Sequence, residues 1–348
     1  MHMADALVSP AVGGAMWAAA GGLAAFSAHK LKNNLEERKV PLMGVLGAFI
    51  FSAQMINFAI PGTGSSGHLG GGMILAILLG PYAGFITIFS VLAVQALFFA
   101  DGGLIALGCN AFNLGFFPCF IAYPFIYRKI VGRQPRPRSL LFGNMAASIV
   151  ALQLGALAVV LETFLSGISE IPFATFTLLM QPIHLAIGMV EGLITFSVVT
   201  FVWKARPELL GTDPGALPLK SIPVKALLTS LFITALLIGG VLSWFASSQP
   251  DGLEWSLTRA SSGEEPVSSE HPSHEIAERI QNVSAILPDY DFKAPETEPN
   301  AGTADDARVI NTGTTVAGLI GALLTLALVA ILGILLHLGA LRHKRMLS

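Results

Sequence analysis

Charge is scarce in this sequence: Asp, Glu, Lys and Arg make up 12% of its 348 residues, about half the roughly 25% usual for soluble domains. With 53% of residues hydrophobic, so few charges cannot cover a water-facing surface. A soluble enzyme is excluded and an integral membrane protein is predicted. The net charge of −2 shows no basic excess, which argues against nucleic acid as a partner. Cysteine is nearly absent. Cys109 and Cys119 both lie in an apolar run, against a disulfide framework or a thiolate metal site. No glycine pattern follows a strand to form a phosphate-binding loop, so ATP hydrolysis by this chain is excluded. The segment Met1–Ala6 has an acid and no Lys or Arg, so it lacks the basic n-region of a cleaved signal peptide. The bulky His2 opposes removal of the initiator methionine, and the mature chain is expected to start with the free amine of Met1.

Long apolar runs are what the sequence does have. They fall at about 11–29, 41–60, 69–80, 82–100, 104–127, 139–162, 176–203, 222–246 and 314–338, and together predict an all-α polytopic helical bundle with about nine apolar segments. Four clusters hold sixteen of the twenty basic residues: Lys30/Lys32/Arg38/Lys39, Arg128/Lys129/Arg133/Arg136/Arg138, Lys204/Arg206/Lys220/Lys225 and Arg342/Lys344/Arg345. Under the positive-inside rule all four face the cytoplasm. Residues 69–100 are short for two full helices and are broken at Gly80-Pro81, which also admits one bent helix or a re-entrant turn, but the parity closes only if they cross twice, with the N-terminus outside and the C-terminus cytoplasmic. The external segments are then 1–10, 61–68, 101–103, 163–175 and 247–313. The last holds thirteen of the 22 acids against Arg259, Arg279, Lys293 and Arg308, hence net −9. Such a composition predicts an acidic external insert, loosely folded or extended, with at most one short helix near 274–287.

The start of the chain carries a chelating pattern. The amine of Met1, the amide nitrogen of His2 and the His2 imidazole can close adjacent five- and six-membered rings around one divalent ion. Three nitrogens in a plane invite a fourth, giving the square-planar field that suits Ni(II) or Cu(II) and that low-spin Co(II) can adopt. His68 is the candidate fourth ligand, within the glycine-rich loop Pro61–Gly72 where backbone can approach an ion closely. On spacing alone, His2 could equally be a free terminal residue and His68 an interfacial one; topology places both on one side. Polar residues within apolar spans are costly and mark functional candidates: Gln54, Asn57, Gln95, Asp101, Asn110, Asn113, Gln153, Glu162, His184 and Glu191. Of these, Gln54, Asn57, Gln95, Asp101, Asn110 and His184 are expected as a possible shell around the ligands; each could instead make only an interhelical hydrogen bond. His274-Glu275 has no second histidine four residues on, which removes a zincin reading. His271 and His274 read as solvated polar residues rather than metal scavengers.

Several motifs resemble a known family: Met1-His2, Leu7–Pro10, Glu36–Leu42, Gln54–Phe58, Ser66-Gly67-His68-Leu69, Leu79-Gly80-Pro81, Gln95–Gly103, Leu107–Asn110 and His184–Gly192. Together they resemble the CbiM/NikM family, the substrate-capturing membrane components of cobalt and nickel energy-coupling-factor transporters, over about residues 1–210. The resemblance implies that Met1, His2 and His68 hold the metal, with Ni(II) or Co(II) as cargo and no resident cofactor. It also implies partners, namely a transmembrane coupling component and two cytoplasmic ABC ATPases, in the inner membrane of a prokaryote. The family usually begins Met-His-Ile-Pro-Asp-Gly; here Met1–Ala6 lacks that proline and glycine but keeps the chelating atoms. Pro250–Trp255, with the acidic stretch and the final span, resembles a fused PDGLE or N-type accessory segment. The expected division is a capture domain at 1–210, a connecting segment and span at 211–246, the insert at 247–313, and a last span with a basic tail at 314–348.

Two other functions fit parts of the pattern. An intramembrane metal-dependent enzyme would need an open coordination position and a nearby base, and no nucleophile–base motif is present. A vitamin-binding component of the same transporter type would need an aromatic-lined pocket, but only 9% of residues are aromatic and the N-terminal chelate would be unexplained.

Overall fold

The computed structural model of the chain describes residues 1–34, 39–168, 170–210, 223–261, 271–293 and 311–347. The Glu36–Arg38 part of the first basic loop, the boundary near 211 and the acidic stretches 262–270 and 294–310 lie outside the described residues. Among the described residues the architecture is all-helical apart from one two-stranded hairpin, β1 (Phe58–Ile60) against β2 (Ser65–Gly67). Among them, six helices are long and apolar enough to cross a membrane: Pro10–Lys32, Pro81–Phe99, Leu107–Val131, Pro137–Ser166, Phe173–Ala205 and Thr312–Gly339. Two shorter apolar helices, Lys39–Gln54 and Val224–Gly240, lie among them. In chain order we call these α1 (Pro10–Asn34), α2 (Lys39–Gln54), α3 (Gly72–Leu79), α4 (Pro81–Phe99), α5 (Leu107–Val131), α6 (Pro137–Ser166), α7 (Phe173–Ala205), α8 (Val224–Gly240), α9 (Gly252–Ala260), α10 (Pro272–Ser284) and α11 (Thr312–Leu347).

The stretch 69–100 folds as two helices broken where expected. Gly80 takes a positive φ of 85° and Pro81 opens α4 at its first turn, a place where the missing proline N–H costs nothing. The eight residues of α3 span only about 12 Å, less than half of a hydrocarbon core of roughly 30 Å. The region therefore goes in on a half-helix, α3, preceded by the hairpin loop, and returns on a full one, α4; His68 and Asp101, at its two ends, both lie beside His2. In α5 the turns widen over Phe112–Tyr127, with Pro118 and Pro124 inside; neither can donate to the helical ladder, and the wider turns accommodate the missing bonds.

The helices alternate in direction. One end of the bundle gathers Met1–Val8, the β hairpin loop, the α4–α5 turn and the segment after α8. The described parts of the basic clusters near 30–39, 128–138 and 204–225 lie at the ends of helices remote from it.

The insert departs from expectation. It holds two helices, α9 and α10, and a short turn at Pro288–Tyr290, all seated on the gathered end. Composition misled because these helices are anchored by polar contacts to main chain elsewhere, a source of stability that an apolar-area argument does not see. Gln281 Nε2 donates to both Ala96 O and Gly102 O at 2.9 Å, while the backbone N–H groups of Ile286 and Leu287 reach Phe98 O. His274 is buried rather than solvated, with Nε2 3.1 and 3.0 Å from the carbonyls of Asp5 and Val8. His271 stays exposed, and its ring accepts from Ser273 N at the start of α10.

Candidate metal centre

The first four residues, which form no helix or strand, are held inside the protein ahead of a short helical turn at Asp5–Leu7. Asn110 of α5 brackets Met3: its Oδ1 accepts from Met3 N at 2.7 Å and its Nδ2 donates to Met3 O at 3.2 Å. Gly103 N donates to the same carbonyl at 2.9 Å, and a Cβ at Gly103 would collide with Asp5, so only glycine permits this approach. Asp5 then accepts from Ala106 N at 2.9 Å. These bonds bury Met1 to 5% exposure. Replacing Asn110 with alanine is expected to cost about 1–3 kcal/mol, since the buried Met3 N–H loses its partner while Met3 O keeps only Gly103 N. Thermal unfolding of the solubilised protein, compared with the parent, checks this.

His68 follows directly on β2, the second strand of the hairpin. Its loop is buttressed from two sides. Glu191 of α7 accepts from Gly70 N at 2.8 Å and Gly71 N at 3.1 Å, while Gln54 Nε2 donates to Gly70 O at 2.9 Å and Gln54 Oε1 accepts from Gln95 Nε2 at 3.0 Å. His68 Nδ1 lies 3.1 Å from Leu69 O, which leaves Nε2 facing the Met1 amine at 3.4 Å. The rings of His2 and His68 lie 4.9 Å apart between centroids. The amine and both imidazoles thus converge, as the sequence led us to expect.

Two carboxylates meet this nitrogen cluster. Asp251 Oδ2 lies 3.2 Å from the Met1 amine and 3.9 Å from His68 Nε2, while its Oδ1 caps α9 by accepting from Leu253 N and Glu254 N at 2.8 Å. Asp101 Oδ1 lies 2.7 Å from His2 Nδ1, and its Oδ2 accepts from the Tyr290 hydroxyl. Burial alone would raise the Asp101 carboxyl, but the His2 imidazole and the Tyr290 bond outweigh it and hold the group at about 2. Asp251 is likewise held well below the carboxylate range, because the Met1 amine and His68 overcome its burial. His68 is pushed down to about 3, first by burial and then by the neighbouring amine and His2. Its Nε2 is therefore a neutral lone-pair donor at physiological pH.

The geometry is a gathered ligand set rather than a closed cage. Among the described residues no three His, Cys, Asp or Glu side chains stand ready to hold a metal ion, so main-chain nitrogen has to contribute. The His2 Nδ1 that a six-membered chelate ring needs is bonded to Asp101, while Nε2 is buried without a partner. Planar chelation thus requires the His2 ring to turn away from Asp101.

Of the expected surrounding residues, only Asp101 bonds a candidate ligand side chain. Asn110 orients the segment that carries the ligands, and Gln54 with Gln95 braces the His68 loop. Asn57 contributes its carbonyl, which accepts from Ser247 N at 2.8 Å. His184 bonds Met180 O of its own helix. Gln153 bonds the Gln181 carbonyl across to α7, and Asn113 bonds Glu162, as the interhelical reading had it. Asp251 and Tyr290 were not foreseen; the N-cap pattern Asp251-Gly252-Leu253-Glu254 was a legible sign of a helix start, but nothing local ties it to Met1.

A polytopic bundle with a buried N-terminal amine, two imidazoles and two carboxylates at one end has the make-up of a membrane protein that captures a small cation. Residues 2–209 match the family described as the cobalt uptake substrate-specific transmembrane region, CbiM, and residues 225–338 match the PDGLE domain. This chain belongs to the CbiM family, fused to a C-terminal PDGLE domain. It is 31% identical over 338 residues to a putative fused nickel transport protein NikMN of Archaeoglobus fulgidus, covering 94% of this chain and 96% of that one. It is 35% identical over 213 residues to a putative metal transport protein of Haloquadratum walsbyi, covering 61% and 94%. A crystal structure of a transition metal transporter superposes with a TM-score of 0.52 at 31% identity, covering 59% of this chain and 93% of that one.

Proposed function

We propose that this protein takes up Ni(II) or Co(II) across the membrane, capturing the ion with the Met1 amine, the His2 amide and imidazole, and His68. The observation that carries the reading is the convergence of a buried N-terminal amine on two imidazoles from segments 66 positions apart. It acts as the substrate-capture component of an energy-coupling-factor transporter, non-catalytic itself, with a transmembrane coupling protein and two cytoplasmic ABC ATPases supplying free energy. The gathered end faces outward and the basic clusters inward, in the inner membrane of a prokaryote, with the C-terminus cytoplasmic. The relatives' names support cation uptake: they include nickel, cobalt and less specified metal transport proteins.

Calorimetry of the solubilised chain with Ni(II) tests the reading. His2→Ala or His68→Ala is expected to weaken binding at least about 100-fold, because each removes a nitrogen from a four-donor set. Unchanged affinity in either variant would refute the ligand assignment. Protons report the same chemistry. Chelation deprotonates the amine and the His2 amide, whereas His68, held down to about 3, has none to give. About two protons are expected to leave per ion near neutral pH, with affinity falling as pH drops. Titration in buffers of differing ionisation enthalpy counts them.

A further inference from the structure

His184 lies on α7, and its side chain is wholly buried. Its Nδ1 lies 2.8 Å from the Met180 carbonyl one turn back, which fixes the proton on Nδ1 and leaves Nε2 as a lone pair. That Nε2 is buried without a hydrogen-bond partner. A buried orphaned acceptor is costly unless something occupies it. His68 is wired the same way, with Nδ1 on the Leu69 carbonyl and Nε2 toward the Met1 amine. A ring N–H given to a carbonyl with the other nitrogen free is how metal-ligating histidines are held.

His184 also shares a small cavity with the ligands. A void of about 10 Å³ is lined by Met1, His68, His184 and Asp251 together with the apolar Leu114 and Ile187. That size is on the order of one water molecule, and also of one divalent ion stripped of its hydration shell. Leu114 and Ile187 make part of its lining apolar, so a cation there depends on the few polar donors around it.

We propose that His184 Nε2 is a further metal ligand, forming with the Met1 amine and His68 an inner position that the ion takes when His2 releases it. This rests on the reading of Met1 and His68 as ligands. The described conformer already holds the His2 imidazole on Asp101, so the amine and the two inner imidazoles are the nitrogens left facing the void. The exchange breaks the bonds to the His2 imidazole and to the His2 amide nitrogen, which regains its proton from solvent, and forms one bond to His184 Nε2, moving the ion from the chelating plane toward the bundle interior.

The test uses the full chain with His2→Ala, loaded with Cu(II) as the probe and read by pulsed electron paramagnetic resonance, which counts coordinated imidazoles. Two imidazoles are expected in His2→Ala, from His68 and His184, falling to one in His2→Ala/His184→Ala, with Cu(II) affinity lower at least tenfold again. One imidazole in His2→Ala, or no bound Cu(II), would overturn the inner position even if the double variant failed to fold. Failure of the capture reading would be distinguishable: the parent chain itself would then lack planar nitrogen coordination.

Discussion

Adding a single residue ahead of Met1 is expected to reduce Ni(II) affinity by about a thousandfold or more, while the protein still inserts and purifies. The amine is one of four proposed donors, and extension turns it into an amide that binds only after losing a further proton. Crowding adds to the chemical loss. Met1 is 5% exposed, and the amine sits between His68 Nε2 at 3.4 Å and Asp251 Oδ2 at 3.2 Å, so there is no space for an added residue without displacing the Met3 segment. Nα-acetylation is expected to act alike, since it removes the same donor. Calorimetry on matched extended and parent proteins checks both, and equal affinity would contradict the role of the amine.

The second large effect is expected at Asp251→Ala. This carboxylate joins two jobs that belong to different parts of the chain: it pairs with the amine of Met1 beside the CbiM region and caps α9 of the PDGLE domain. Loss of the cap costs about 1 kcal/mol, and a buried ion pair broken on one side costs about 3–5 kcal/mol, a figure reduced here because the Asp251 side chain is 23% exposed. A total of roughly 2–4 kcal/mol is expected. Asp251→Asn keeps an oxygen for the helix cap but not the charge, and is expected to lose less stability. Thermal unfolding orders the three proteins, and limited proteolysis within 262–270 reports whether α9 has come loose. The Ser66 N–H to Pro250 O bond at 2.8 Å ties the same segment to the His68 loop, so loosening is expected to weaken Ni(II) binding as well.

What could be read from sequence divides along physical lines. The candidate ligands were legible because chelate ring size depends only on atoms adjacent in the chain, as in Met1-His2, and because apolar runs and basic clusters set which end His68 was expected to reach. The helical bundle followed from hydrophobic length. The half-helix α3 was harder, since an apolar run does not reveal that the chain ahead of it turns back as a hairpin. The insert misled further. Its acids and serines suggested loose structure, yet His274, Gln281 and Tyr290 each fasten it to groups of the CbiM region. Such contacts span 269, 185 and 189 positions, and no local pattern encodes them. Glu191 shows the same limit: an acid within a span was recognisable as special, but its bonds to the Gly70 and Gly71 N–H groups beside His68 needed three dimensions.

X-ray absorption and optical spectroscopy of the Ni(II)-loaded parent chain probe the capture chemistry most directly. Four nitrogen donors in a plane, two of them imidazoles, with the diamagnetic signature of low-spin nickel, are expected. An oxygen-rich six-coordinate paramagnetic ion would contradict capture by Met1, His2 and His68.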